Sequence, residues 1–142
     1  PINFYLTVKS LDAITLDGAG DIEAADMRAE TFTVNANGAG NFEMQNLDAD
    51  TLFVTLSGAG NVTVTGEVVS QTVKINGVGR YQARSLESEK ARVEINAAGS
   101  ATVRVSKELD ATINGAGSIE YYGNPVISQR VNGVGRVNHL GE

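Results

Sequence analysis

A chain of 142 residues, 42% of them hydrophobic, is long enough for one domain with a sizeable core. A formal net charge of −6 and a pI near 4.7 argue against a nucleic-acid backbone or an anionic membrane surface as the main partner. There is no cysteine, hence no disulfide and no thiolate metal site, and no apolar run approaches the ~20 residues that span a bilayer.

Pro1-Ile2-Asn3-Phe4 reads as a strand that follows a glycine turn, with the turn itself missing. Residues 1–142 are therefore expected to form a single domain, the remaining part of a longer exported precursor, although no signal peptide is visible. The alternating stretch Ile14-Thr15-Leu16 comes next, then the tripeptide Gly18-Ala19-Gly20, then Ile22-Glu23-Ala24. This strand–turn–strand unit keeps returning. Its closing glycines are Gly20, Gly40, Gly60, Gly79, Gly99, Gly117 and Gly135, spaced 20, 20, 19, 20, 18 and 18 apart. A fixed period near 20 is the mark of a stacked repeat fold.

Four residues before each closing glycine stand Leu16, Ala36, Leu56, Ile75, Ile95, Ile113 and Val131. Six before stand Ile14, Val34, Val54, Val73, Val93 and Ala111, with Gln129 breaking the run. Two residues after the glycine come Ile22, Phe42, Val62, Tyr81, Ala101, Ile119 and Val137; four after come Ala24, Met44, Val64, Ala83, Val103, Tyr121 and His139. The positions between are mostly polar, which is period-two alternation rich in Val, Ile and Thr. A second, more variable corner follows, as in Asn46-Leu47-Asp48-Ala49-Asp50, Ser85-Leu86-Glu87-Ser88-Glu89 and Gly123-Asn124-Pro125. Leu47, Leu86 and Met27 are the apolar residues there that can tuck inward. One such strand pair cannot bury its apolar face alone. Stacking the units in parallel register buries all of them, so the pattern predicts an all-β, right-handed parallel β-helix of about seven coils.

The turn chemistry is consistent from coil to coil. The residue before each tripeptide is Asp17, Asn37, Ser57, Asn76, Asn96, Asn114 or Asn132, all side chains that bond local backbone. The asparagines Asn37, Asn76, Asn96, Asn114 and Asn132 are expected to stack as an amide ladder with a structural role. The closing glycine never varies, whereas the first becomes Ala97 once. That predicts a positive φ or a close approach at the closing glycine and more tolerance at the first. The middle residue is only Ala or Val, which suggests a small side chain pointing into a narrow corner.

No residue set demands a chemistry. Gly18-Ala19-Gly20-Asp21 superficially resembles a calcium-binding repeat, but the position after the glycine becomes Arg80 and Arg136 in later coils, which a cation site does not accept. A phosphate loop needs a helix start that is absent. No metal or cofactor is predicted. His139 is the only histidine and lies in the last coil. Glu23 and Glu43 should stack one above the other, beside Asp21 and in line with Glu120. Paired carboxylates can do acid–base work, but these belong to a flat wall with no long loop to build a cleft. Acidic corners at Asp48, Asp50, Glu87 and Glu89 are expected to face Arg80, Arg84, Arg92, Arg104, Arg130 and Arg136. Phe53 and Tyr122 fall at outward positions and are candidates for stacking on a glycan.

The repeated Asn-Gly-Ala-Gly turns and the stretch Ile119-Glu120-Tyr121-Tyr122-Gly123-Asn124-Pro125 resemble the head GIN domain family of auto-transporter adhesins. The likeness covers nearly the whole chain. It implies a right-handed parallel β-helix and an exported bacterial envelope protein with an adhesin role, and it supplies no catalytic residues. Three functions are consistent with these observations. The first is a non-enzymatic surface-binding module for glycan or protein, contacting its ligand through Phe53, Tyr122, Glu23 and Glu43. The second is a structural protein that self-associates through open coil ends, and the third is a polysaccharide-active enzyme.

Overall fold

A computed structural model of the chain describes residues 3–7, 13–16, 19–25 and 28–141. Asp17, Gly18 and Met27 lie outside these, as do the side chains of Ile14, Leu16 and Ala24. The strands are β1 (Asn3–Thr7), β2 (Ala13–Leu16), β3 (Ala19–Ala25), β4 (Arg28–Ala36), β5 (Ala39–Leu56), β6 (Asn61–Ile75), β7 (Arg80–Ile95), β8 (Ser100–Ile113), β9 (Ser118–Tyr122), β10 (Val126–Val131) and β11 (Arg136–Gly141). No helix interrupts them among the described residues.

Every pairing is parallel, and each joins a coil to its neighbour. β1, β3, β5, β6, β7, β8, β9 and β11 stack in that order, forming the wall downstream of the glycine corners. β2, β4, the later halves of β5 to β8, and β10 form the wall upstream of them. The result is a parallel β-solenoid of about six turns with a period of about 19 residues.

The alternation read from the sequence becomes the core. Val34, Val54, Val73, Val93 and Ala111 are buried in one column, and Leu56, Ile75, Ile95 and Ile113 in the next. Across the interior they meet Phe42, Val62, Tyr81, Ala101 and Ile119. Removing such apolar surface from water contributes roughly 1.5–3 kcal/mol per large side chain. Leu47 and Leu86 tuck inward at the second corner and are fully buried. Length changes fall at that corner: the register shifts between Met44 and Leu47, between Thr63 and Thr65, and between Ala83 and Glu87. Asn46 there has φ 57° and Gly66 has φ 136°, backbone that bends a strand without leaving the ladder.

At the glycine corner the backbone ladder continues. Asn76 N–H donates to Leu56 O at 2.7 Å, Val78 N–H to Gly58 O at 3.1 Å and Arg80 N–H to Gly60 O at 2.9 Å. The structure differs from the sequence expectation in two ways. The middle residue of the tripeptide points to solvent, with Val78 62% and Val134 86% exposed. It falls on the outward phase of the alternation, and both flanking glycines fall on the inward phase. The first glycine is no more tolerant than the closing one: a Cβ on Gly58 would strike the Gly38 carbonyl oxygen, and one on Gly60 the Gly40 carbonyl oxygen. None of the closing glycines has a positive φ among those described, so close approach of the preceding coil is what excludes a side chain there.

Candidate functional site

Parallel stacking turns each outward position into a column running along the solenoid, with rungs about 4.8 Å apart. At the corner, Asn96 Nδ2 donates to Asn76 Oδ1 at 2.8 Å, Asn114 to Asn96 at 2.7 Å and Asn132 to Asn114 at 2.8 Å. Each amide donates toward the preceding coil and accepts from the following one, so a single residue type can repeat indefinitely. Asn37 stands exposed at the same corner of an earlier coil. A second ladder runs along the downstream wall, where Asn61 Nδ2 donates to Asn41 Oδ1 and Asn41 Nδ2 to Asp21 Oδ1, both at 3.1 Å. Asp21 accepts only, so it ends that ladder.

Glu23 and Glu43 are adjacent rungs of the downstream wall, and Thr63 follows them. Gln45 Nε2 donates to Glu43 Oε1 at 3.1 Å. With Asp21, Asn41, Asn61 and Arg80 they line a shallow groove of about 340 Å³. It is open to solvent along the wall. Among the described residues no group of three or more His, Asp or Glu stands together as a metal set.

The upstream wall carries Phe53, which is 41% exposed. Thr33 and Thr72 pair with it on the coils either side, while Thr51 and Thr55 flank it two residues away on β5, pointing the same way. An aromatic ring thus stands in a field of hydroxyls. Farther along this wall the charges neutralise one another between coils. Lys90 lies 3.8 Å from Glu108 and Arg92 3.6 Å from Asp110.

Tyr122 is placed differently. It lies half-buried where the downstream wall meets the second corner. The Arg104 guanidinium stands 5.0 Å from its ring centroid and that of Arg84 5.6 Å, within cation–π range. Arg104 Nε also donates to the Arg84 carbonyl at 2.9 Å. The ring is therefore engaged within the chain and is a poorer platform than Phe53. His139 stacks on Tyr121 at 4.8 Å between ring centroids and its Nε2 contacts Gly123 O at 2.7 Å, which ties the last coil to the one before.

At the second corner Glu87 lies in register with Arg104 on the next coil, as expected, and the close ion pairs are made by other residues. Asp48 pairs with Arg28 and Glu89 with Lys107, so the acidic corners are served by neighbours one coil away. Arg80, Arg84, Arg104, Arg130 and Arg136 have no ion-pair partner among the described residues.

Sequence reasoning missed a buried polar chain inside the solenoid. Tyr81 O–H donates to Gln71 Oε1 at 2.7 Å, Gln71 Nε2 donates to Ser88 Oγ at 2.8 Å, and Ser88 Oγ donates to the Arg104 carbonyl at 2.6 Å. Burial pushes the Tyr81 pKa up, so its hydroxyl stays protonated.

The family profile described as "Putative auto-transporter adhesin, head GIN domain" matches residues 1–125. The chain belongs to this head GIN domain family. Two crystal structures share its architecture. One, of a putative adhesin from Bacteroides fragilis, superposes with TM-score 0.88 at 28% identity, covering 92% of this chain and 61% of that one. The other, of a putative lipid binding protein from Parabacteroides distasonis, superposes with TM-score 0.74 at 24% identity, covering 97% of this chain and 61% of that one; it shows likeness of fold. The head GIN chain thus spans about three-fifths of the length of these neighbours. No curated protein matches it. Among the described residues no helix is long and apolar enough to cross a membrane.

Proposed function

We propose that this head GIN domain is a non-enzymatic recognition module of the bacterial cell surface, binding glycan through the upstream wall around Phe53. The observation that carries the reading is the exposed Phe53 ring set among Thr33, Thr51, Thr55 and Thr72 on a rigid parallel sheet. An aromatic face packs against the apolar face of a sugar ring, and the surrounding hydroxyls donate to and accept from sugar hydroxyls. A preformed sheet loses little conformational entropy on binding. Family membership and the adhesin neighbour support an exported, adhesin-like role. The Glu23–Glu43 pair lies on an open wall, without the water-excluding enclosure that acid–base catalysis on a glycan uses.

The test is a glycan array probed with the wild-type domain and with Phe53→Ser at two salt concentrations. Saturable binding to a defined sugar class is expected, weakened about tenfold by the substitution while the melting temperature holds. Equal binding by Phe53→Ser would overturn the assignment of this wall, and silence across the array would end the glycan reading. A second reading, association between copies through the last coil, is favoured by the exposure of Val126, Val131 and Leu140.

A further inference from the structure

The glycine corner carries the dipeptide Asn–Gly at Asn37-Gly38, Asn76-Gly77, Asn114-Gly115 and Asn132-Gly133. Asparagine is a thermolabile residue. Its side chain is attacked most readily when glycine follows, because no Cβ shields the glycine nitrogen. Two of these sites have nearly the same sequence, Ile75-Asn76-Gly77-Val78-Gly79-Arg80 and Val131-Asn132-Gly133-Val134-Gly135-Arg136. Their surroundings differ. Ile75 is fully buried, whereas Val131 is 41% exposed. The Asn76 corner is held from both sides. Asn76 N–H donates to Leu56 O on the preceding coil, and on the following coil Asn96 donates to Ile75 O through its backbone and to Asn76 Oδ1 through its side chain. Asn132, Val134 and Arg136 donate to Ile113, Gly115 and Gly117 of the preceding coil. Among the described residues no strand stacks beyond β10 and β11 to bond this corner from the other side.

The reaction requires the glycine nitrogen to reach Cγ of the asparagine. The asparagine backbone must rotate to bring them together, and that breaks ladder bonds at the corner. Opening therefore costs bonds on two sides in an inner coil and on one side in the last. We infer that Asn132-Gly133 is a site of spontaneous deamidation, and that stacking protects the same dipeptide in the inner coils. The Gly133 nitrogen bonds to Asn132 Cγ and gives up its proton. The Cγ–Nδ2 bond breaks, and ammonia leaves with that proton. Water then adds across one of the two carbon–nitrogen bonds of the cyclic imide, which gives aspartate or isoaspartate at position 132. The product stands at the wrong end of the amide ladder. Asn132 Nδ2 donates to Asn114 Oδ1 at 2.8 Å, but a carboxylate only accepts, so oxygen would face oxygen. Asp21 marks the end that tolerates a carboxylate, since it accepts from Asn41 of the following coil. Isoaspartate also inserts a methylene into the main chain at the corner. Deamidation thus loosens the last coil and adds a negative charge to it.

The test is ageing of the intact chain at mildly alkaline pH, folded and in urea, followed by tryptic digestion and mass spectrometry. Trypsin cuts after Lys74, Arg80, Arg130 and Arg136, so the two matched sites are released as separate hexapeptides. In urea both should convert at the same rate. In the folded chain 131–136 should convert about tenfold faster than 75–80, the effect of one missing set of rung bonds. Asn132→Gln should abolish conversion there, because its longer side chain closes the ring poorly. Asn132→Asp should speed hydrogen exchange at the Val134 and Arg136 amides. Asn76→Asp should leave exchange at Val78 and Arg80 as in the wild type, because its carboxylate still accepts from Asn96. Equal folded-state rates at the two sites, faster conversion of 75–80, or a 131–136 peptide that stays intact in the folded chain would overturn the site. Unchanged exchange in Asn132→Asp would overturn the loosening of the last coil.

Discussion

Gly58 and Gly60 look alike in the structure and different in the sequence. The presence of Ala97 at one first position suggested tolerance, but at Gly58, Gly77 and Gly115 an added Cβ would meet the backbone of the preceding coil as closely as it does at Gly60. The obstacle is a carbonyl about 20 residues earlier, which no local pattern reveals. Overpacking of this kind costs about 1–3 kcal/mol where the backbone must move. Gly58→Ala and Gly60→Ala should each lower the urea midpoint, by similar amounts, with m unchanged. A clear loss at Gly60 alone would show that the Gly58 side of the corner can relax. The middle position carries the opposite expectation, because Val78 already stands in solvent.

The strands show why the alternation could be read and the polar interior could not. Valine and isoleucine at fixed distances from each glycine give the inward columns directly, and the structure buries them as expected from Val34 to Ile119. The column of Phe32, Leu52, Gln71, Ala91 and Leu109 is equally buried, but a glutamine inside it reads as a break in the pattern. Gln71 is accommodated because Tyr81 and Ser88, 10 and 17 residues away, complete its hydrogen bonds. The chain crosses the interior between β6, β7 and β8, where the register at the second corner shifts. Removing the Tyr81 hydroxyl leaves Gln71 Oε1 without its donor, so Tyr81→Phe should cost about 1–3 kcal/mol at neutral pH. Alkaline pH reduces the difference. The folded pKa of Tyr81 is raised above its ordinary value of 10.0, so its contribution is complete below about pH 10 and declines as pH rises further, because the unfolded chain ionises and the folded one resists. The difference between wild type and Tyr81→Phe, measured by urea unfolding, should therefore narrow above about pH 10. A gap that stays constant would mean that Tyr81 ionises equally easily in both states.

Along the solenoid, order and charge change together. The columns that are buried in the middle coils reach Gln129, Val131 and His139 in the last, and these are exposed. β10 pairs only with β8 and β11 only with β9 among the described strands. Val126 is 74% exposed and Leu140 45% exposed on the same coil. The sequence from 126 to 142 contains Arg130 and Arg136 and a single acidic residue, Glu142, whereas Asp21, Glu23 and Glu43 lie in the early coils. Two last coils meeting face to face would repel, while a last coil meeting the acidic early coils of another copy would attract. Association should therefore run head to tail, an arrangement that does not close and so grows with concentration. Light scattering at rising protein concentration is expected to show an increasing mass at low ionic strength and a return toward monomer as salt screens the attraction. Val131→Lys should hold the chain monomeric, since a charged edge discourages strand pairing. A mass that is monomeric at every concentration would remove self-association as a function of this coil, and a mass that grows with salt would point instead to apolar contact between like ends.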